Sequence, residues 1–318
     1  MLTYIVRRLI QAFGVIVLVS LAVFLLIRTL PGDPIEMLVS SQQLQEYTPE
    51  MIEALRHARG LDRPLVVQYV SWLGNMLRGD FGNSLMRNFN IGQELKNRVV
   101  VSLTIGLTAF VIGFIVGPIL GIISAIRRGK MLDNIVTTFA NIGITAPTFW
   151  VAILLLYLFA LRLKLVPLYG YTLPWVNLGM SIKQGILPVF VTALGPIASS
   201  TRQTRSSVIE IMNEDYIRTA WAKGLNERKV IIKHIIKNSL LPVITLQGTM
   251  LRMVVGGSVV VETVFVVPGM GRMMVDAMLS HDYTVVQAVT VIMTAVVVFS
   301  SLLVDLLYGW VDPRIQYE

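Results

Sequence analysis

Residues 99–126 read VVVSLTIGLTAFVIGFIVGPILGIISAI, a continuous run without a charged side chain. A helix needs roughly 20 apolar residues to cross about 30 Å of hydrocarbon. This run is longer than that, and its glycines and proline are tolerated in a span whose neighbours satisfy the freed backbone groups. The stretch therefore predicts a membrane-spanning helix, and it sets the class of the whole chain.

The composition agrees with that class. Of the 318 residues, 54% are hydrophobic and only 14% are charged, whereas soluble domains carry about 25% charged residues. The run 9–27 is expected to be a retained span rather than a cleaved signal, because Arg28 and Pro31 follow it in place of a small-residue cleavage site. We predict an all-α polytopic membrane protein with six transmembrane helices, at residues 9–27, 99–126, 135–161, 184–201, 239–268 and 283–304.

Several chemistries are excluded by missing residues and motifs. The chain has no cysteine, so disulfides, thiolate nucleophiles and sulfur-ligated metals are excluded. His57, His234 and His281 form no HExxH pattern, and no GxxxxGK[ST] phosphate loop occurs. We therefore predict no catalytic, cofactor-binding or metal-binding residue in this chain, which is not expected to be an enzyme.

Basic residues indicate the orientation, because Lys and Arg accumulate on the cytoplasmic side of membrane proteins. Six spans with these residues inside place both termini in the cytoplasm. The predicted organisation is an N-terminus and first span (1–30), an outer loop region (31–98) and a core domain (99–318) that contains an inner loop (202–241). The basic residues used for this orientation are Arg7, Arg8, Arg127, Arg128, Lys130, Arg202, Arg205, Arg218, Lys223, Arg228, Lys229, Lys233 and Lys237.

The outer loop region contains two predicted helical segments. Thr48-Pro49-Glu50 supplies an N-cap, a proline at the first helical position and an acidic residue in the first turn, and Gly60 can end that helix. Residues 66–77 form a second, apolar-patterned segment. The region is either a lid-like helical cap or a docking surface for an external partner. Candidate contacts for such a partner are Glu50, Glu53, Arg56 and Arg59.

The inner loop is the basic, amphipathic stretch of the chain. On a helix, Ile217, Ala220, Trp221 and Gly224 share one face. Ala220 and Gly224 are small, so they are expected to leave a shallow surface strip where another protein can approach closely. The alternative is a basic helix that lies on anionic lipid.

Two ionisable residues, Arg252 and Glu262, interrupt the fifth predicted span. Charged residues at membrane depth are costly and are functional candidates by default. Either residue could line a translocation path, and the alternative is a structural pairing or an end charge that reaches the interface.

Residues 215–238, DYIRTAWAKGLNERKVIIKHIIKN, resemble the EAA loop of ABC-importer permeases. Gly224 takes the glycine position of that motif and Ala220 the second alanine. Arg218, Thr219 and Lys237 depart from the generic motif but agree with its dipeptide/oligopeptide branch. The likeness continues along the chain at Tyr4–Leu9, Pro31–Pro34, Gly60–Pro64, Gly79–Ser84, Glu262–Phe265, Pro268–Arg272, Asp282-Tyr283 and Asp312–Arg314.

This resemblance implies a type I importer permease fold in the inner membrane of a bacterium or archaeon. It implies a second permease subunit, two ATPase subunits that bind ATP and Mg²⁺, an extracytoplasmic substrate-binding protein and a peptide substrate, with no nucleic acid. The inner loop would then be a coupling helix seated on an ATPase. The implied ATPase-coupling residues are Asp215, Tyr216, Arg218, Thr219, Ala220, Lys223 and Gly224.

Three alternatives remain beside this interpretation. The same transporter class could carry nickel chelates, glutathione or another small solute. An ion-gradient-driven secondary transporter would show internal repeats with broken helices. An intramembrane enzyme would need a nucleophile with its base, or a metal, at matched depth, and the sequence offers neither.

Overall fold

The computed structural model describes residues 2–29, 48–58, 60, 62–84, 86–255 and 259–311. Within those residues the regular structure is helical, apart from one isolated antiparallel bridge between Asn83 and Asn90. The predicted all-α class is therefore confirmed.

The first half of the chain runs from the N-terminal helix to a sharp bend. Its helices are α1 (Leu2–Thr29), α2 (Pro49–Ala58), α3 (Leu65–Leu77), α4 (Ile91–Ile126), α5 (Met131–Thr145) and α6 (Thr148–Leu155), which a π-helix (Leu156–Arg162) continues.

The second half begins with another long helix. Its helices are α7 (Leu178–Met212), α8 (Asp215–Ala222), α9 (Glu227–Lys229) with a following π-helix (Val230–Ile236), α10 (Lys237–Val255), α11 (Val259–Val264), α12 (Met270–Leu279) and α13 (Tyr283–Val311).

Four helices in the described part of the chain are long and apolar enough to cross a membrane, namely α1, α4, α7 and α13. They confirm the predicted spans at 9–27, 99–126, 184–201 and 283–304. The run 184–201 proves to be the middle of a 35-residue helix that keeps both Pro188 and Pro196 inside it.

The third predicted span is bent. Helix α5 is followed by α6 and its π-helical continuation, and these segments qualify as a span only when they are taken together. The two arms, Met131–Thr145 and Thr148–Arg162, meet at an angle of 107°. The bend lies at Ala146, whose backbone is extended (φ −68°, ψ 129°). Proline disfavours the helical region for the residue before it, so Pro147 accounts for the break.

The fifth predicted span is only partly described. Helices α10 and α11 cover most of 239–268, residues 256–258 lie outside the described part, and neither described helix alone qualifies as a span. Lys237 and Gln247 interrupt the apolar sequence of α10, and Val266 has a positive φ of 55° just after α11. Within the described residues the structure thus shows four or five candidate spans, and the count of six stays a prediction.

Helices α4 and α7 form the centre of the fold. Gly113, Gly117 and Gly121 lie one turn apart on α4, and a Cβ atom at Gly117 or Gly121 would come within 2.6 Å of α7 atoms. The Thr201 hydroxyl on α7 donates to the Gly117 carbonyl at 3.2 Å. Small residues let membrane helices approach backbone to backbone, and this pair is the frame that positions the inner loop.

Candidate functional site: the inner loop and its supports

The inner loop is a helical hairpin that follows α7. Helix α8 starts after Glu214, and Gly224 ends it in the left-handed region, with φ +69°. Glycine adopts that conformation without the Cβ clash that other residues meet. The Asn226 side chain then accepts a hydrogen bond from the Arg228 backbone at 3.0 Å and starts α9.

One side of α8 is buried against the protein. Ile217 and Ala220 are 1% and 7% exposed, and they pack in one cluster with Ala125, Val208 and Val230. The expected surface strip of Ala220 and Gly224 is therefore wrong for Ala220, since this side chain seats the loop on the ends of α4 and α7. Gly224 is exposed, and nothing lies within 4 Å of its Cβ position.

The rest of the α8 surface, beginning with the two positions that flank the buried side, presents large side chains to the surroundings. Tyr216 and Trp221 are 42% and 44% exposed, and Arg218 and Lys223 are exposed beside them. Asp215 accepts a hydrogen bond from Arg218 at 3.2 Å. The Tyr216 hydroxyl accepts one from Asn238 at 3.1 Å, which links α8 to the start of α10. We call Tyr216, Arg218, Trp221, Lys223 and Gly224 the loop face.

A buried ion pair supports the base of the loop. Asp133 is 3% exposed, and Arg205 donates to its two carboxylate oxygens at 2.7 and 2.9 Å. The Ser124 hydroxyl and the Gly129 amide also donate to this carboxylate, at 2.5 and 2.9 Å. These bonds join the turn between α4 and α5 to α7, ten residues before Asp215. The sequence analysis did not predict this pair. Its only signal in the sequence is that Asp133 is a single acidic residue close to the basic connection of Arg127, Arg128 and Lys130.

Glu262 holds the start of α12 in place. It is 2% exposed, and its carboxylate accepts hydrogen bonds from the Ser102 hydroxyl at 2.6 Å and from the Arg272 amide at 3.1 Å. The Met270 amide donates to the same Ser102 hydroxyl at 2.8 Å. This enclosure favours the structural pairing, and the path-lining hypothesis for Glu262 stays a prediction. The Arg252 side chain lies outside the described residues.

A second buried carboxylate joins two motifs that the sequence analysis quoted separately. The Ser84 hydroxyl donates to Asp282 at 2.5 Å, and the amides of Met86 and Val285 donate to the same carboxylate at 3.4 and 3.3 Å. Asp282 thereby caps α13 and attaches the segment before α4 to it.

Helix α2 carries the candidate contacts for an external partner. Glu50 and Glu53 are exposed, Arg56 is half-buried and pairs with Glu53 at 3.5 Å, and Arg59 lies outside the described residues.

A hydrogen bond of 2.5 Å from His57 lowers the pKa of the Asp62 carboxyl just after this helix. Among the described residues, no group of three or more acidic or histidine side chains could hold a metal ion.

Comparisons with known proteins match the whole chain. The family described as "Binding-protein-dependent transport system inner membrane component" matches residues 117–317, and its N-terminal companion family matches residues 1–106. A putative peptide permease protein of Brucella suis is 37% identical over 319 residues, or 99% of both chains. The oligopeptide transport system permease protein AppB of Bacillus subtilis is 37% identical over 320 residues, or 100% of both chains. A probable peptide ABC transporter permease protein of Sinorhizobium fredii is 36% identical over 322 residues, or 99% of both.

The chain belongs to the peptide ABC-transporter permease family. A solved chain of the inward-facing MetNI methionine ABC transporter has the same fold, with a TM-score of 0.55 and 17% identity. It covers 69% of the permease, and the match spans 96% of the MetNI chain. The permease is thus a transport component of the inner-membrane class rather than an enzyme.

The structure brings the predicted coupling residues of the permease together without testing their role. Six of the seven are exposed on or beside α8, and Ala220 is turned inward. The structure adds two features that the sequence did not predict: α8 packs on a buried cluster at the ends of α4 and α7, and the Asp133–Arg205 pair ties the α4–α5 turn to α7.

Proposed function

We propose that the permease pairs with a second permease subunit to form the translocation path of an ATP-driven importer of di- and oligopeptides. A substrate-binding protein outside the membrane delivers the peptide. Two cytoplasmic ATPase subunits bind ATP and Mg²⁺ and drive the cycle. Both termini and the inner loop lie in the cytoplasm. The printed names of relatives that match end to end support the peptide cargo.

The observation that carries the coupling role is the division of α8 into two sides. Its apolar residues Ile217 and Ala220 are already buried within the permease, so this side is not available to rest on lipid. The exposed side offers Tyr216, Arg218 and Trp221, and these residue types dominate the binding energy of protein interfaces. We infer that the loop face binds an ATPase subunit.

Coupling then follows from differential binding. When the ATPases bind ATP, they favour one arrangement of the two permease subunits. ATP binding therefore shifts the whole assembly toward that arrangement. The exposed charges of Arg218 and Lys223 set register and partner choice more than affinity. The buried base transmits the displacement of the loop to α4 and α7, because a packed cluster moves as one body.

The decisive experiment is reconstitution of the complete assembly in vesicles. We expect uptake of labelled di-, tri- or longer peptides only when ATP is present on the side of the membrane that carries the ATPases. This uptake should continue after ionophores have collapsed the ion gradients. Uptake that follows the ion gradient and ignores ATP would favour a secondary transporter. ATP-dependent uptake of nickel chelates or glutathione, with no peptide uptake, would support the ATP-driven mechanism and contradict the proposed peptide substrate.

A further inference from the structure

Helix α3 of the outer loop region has two different exposed faces. Val66, Val70 and Leu77 are 73%, 61% and 72% exposed, and their spacing of four and seven residues places them on one face. Polar residues occupy the other exposed face, with Ser71 and Asn75 four residues apart. No charged residue occurs between Arg63 and Arg78, which flank the helix. An unpartnered apolar face of this size is unusual for a segment in water.

A third side of α3 packs on α1, and this contact locates the helix relative to the first span. The Tyr69 hydroxyl lies 2.9 Å from the Ser20 hydroxyl and 3.3 Å from the Val17 carbonyl. The Phe24 ring lies 5.4 Å from the Tyr69 ring and 6.1 Å from the Trp72 ring, centroid to centroid. Phe24, Tyr69 and Trp72 thus form one aromatic cluster between the two helices.

The contact lies at membrane depth. The uncharged run of α1 ends at Arg28, whose guanidinium stands over the Phe24 ring at 5.2 Å. With a rise of about 1.5 Å per residue, Phe24 lies about 6 Å and Ser20 about 12 Å below Arg28. An arginine at the end of a span keeps its charged group at the interface while its stem stays in hydrocarbon. Because the guanidinium stands over its ring, Phe24 lies near the level of this charge, and Ser20, which contacts Tyr69, lies further inside the leaflet.

We propose that α3 is an interfacial membrane helix and not part of a water-exposed cap. Its face of Val66, Val70 and Leu77 lies in the hydrocarbon of the leaflet at the C-terminal end of α1, and its face of Ser71 and Asn75 meets water. An amphipathic helix at an interface buries its apolar face about 5–10 Å below the headgroups, and the contacts with Phe24, near the level of the charge, and with Ser20, one turn deeper, fit such a position. The occupant of the apolar face is lipid acyl chain, because the position of α3 on α1 holds this face at acyl-chain level.

The absence of cysteine makes a direct test simple. Single cysteines replace Val70, Leu77, Ser71 and Glu53 in the full-length permease, each carries a nitroxide spin label, and the protein is placed in lipid nanodiscs. Collision rates are then measured with oxygen, which concentrates in hydrocarbon, and with a neutral nickel chelate, which stays in water. Ser71 is the matched control on the same helix, and Glu53 is the control on exposed α2.

We expect the labels at Val70 and Leu77 to collide several-fold more with oxygen than with the nickel reagent, and the labels at Ser71 and Glu53 to show the reverse. A Val70 label that favours the nickel reagent would place α3 in water and overturn the proposal. Val70 and Leu77 labels that neither reagent reaches would show protein on this face, such as a second permease chain, and would overturn it as well. The result does not depend on the cargo or on the ATPase, so it is independent of the proposed function.

Discussion

Arg205 and Asp133 form a bidentate ion pair, in which Nε and Nη2 of the arginine lie 2.7 and 2.9 Å from the two carboxylate oxygens. The residues are 72 positions apart in the chain, and the pair fastens the α4–α5 turn to the helix that leads into the inner loop. Asp133 is buried and Arg205 is partly exposed, so breaking the pair leaves one partner's charge uncompensated, which costs more than the pair contributes while it is intact.

The first prediction concerns this pair. Asp133→Ala should destabilise the permease by about 3 kcal/mol, because the Arg205 guanidinium loses its buried partner. Thermal unfolding of the detergent-purified protein measures the effect. Glu53→Ala, which removes the acid of the exposed pair with Arg56, is the control and should cost well under 1 kcal/mol. Equal losses in the two variants would contradict the supporting role of Asp133.

The second prediction distinguishes the two sides of α8. Ala220→Leu should destabilise the protein by about 1–3 kcal/mol, because the added atoms enter a packed cluster. Ala222→Leu places the same side chain at an exposed position of the same helix and should be nearly neutral. Limited trypsin digestion at Lys223 and Arg228, together with thermal unfolding, reports whether α8 has lost its packing on the ends of α4 and α7. Faster cleavage in the Ala222 variant than in the Ala220 variant would reverse our assignment of the sides.

The third prediction tests the loop face. Trp221→Ala should weaken binding of the permease to its ATPase subunits by about 30-fold, the size of a 2 kcal/mol hot spot. The thermal stability of the permease should fall less than its affinity for the ATPase, because Trp221 is 44% exposed and only part of its side chain packs on the protein. Co-purification and titration of the ATPase measure the loss.

Trp175→Ala is the matched control for that experiment, since Trp175 is 67% exposed in the connection before α7. It should leave ATPase binding unchanged. Equal binding by the Trp221 and Trp175 variants would remove Trp221 from the proposed interface.

The fourth prediction separates a structural Glu262 from a path-lining one. Glu262→Ala leaves the Arg272 amide without its carboxylate acceptor, and an unsatisfied buried group costs about 1–3 kcal/mol. We expect a lower melting temperature and transport that falls in proportion to the folded protein, with the ranking of peptide substrates unchanged. A changed ranking at normal stability would instead support the path-lining role.

The fifth prediction concerns the contact of α4 with α7. Gly121→Ala should destabilise the permease, because its Cβ would lie 2.6 Å from the Thr201 carbonyl oxygen and from the Thr204 Cβ. Gly14→Ala, on α1, has no atom within 4 Å of its Cβ position. It should be neutral or stabilising by up to about 1 kcal/mol, since alanine is the better helix former. Thermal unfolding of both variants compares them, and a milder effect at Gly121 than at Gly14 would count against the close packing.

Much of the fold was predictable because membrane spans depend on local composition. The runs at 9–27 and 99–126 needed only their lack of charge to be recognised. The bend at Ala146 was also encoded locally, by Pro147, yet its angle of 107° was not. The run 239–268 stays a predicted span, since polar residues in α10 and a positive φ at Val266 interrupt it and residues 256–258 lie outside the described part.

By itself, the sequence determined that this protein is a helical membrane permease, where most of its spans lie and which segment forms the inner loop. Those properties follow from hydrophobic runs, glycine and proline positions and contiguous motifs, all of which act over a few residues. Only the tertiary structure decided which way Ala220 faces, that Glu262 and Asp282 are enclosed, and that Asp133 meets Arg205. The physical reason is that burial and pairing depend on atoms brought together from distant parts of the chain, and one helical face has the same sequence pattern whether protein, lipid or a partner covers it.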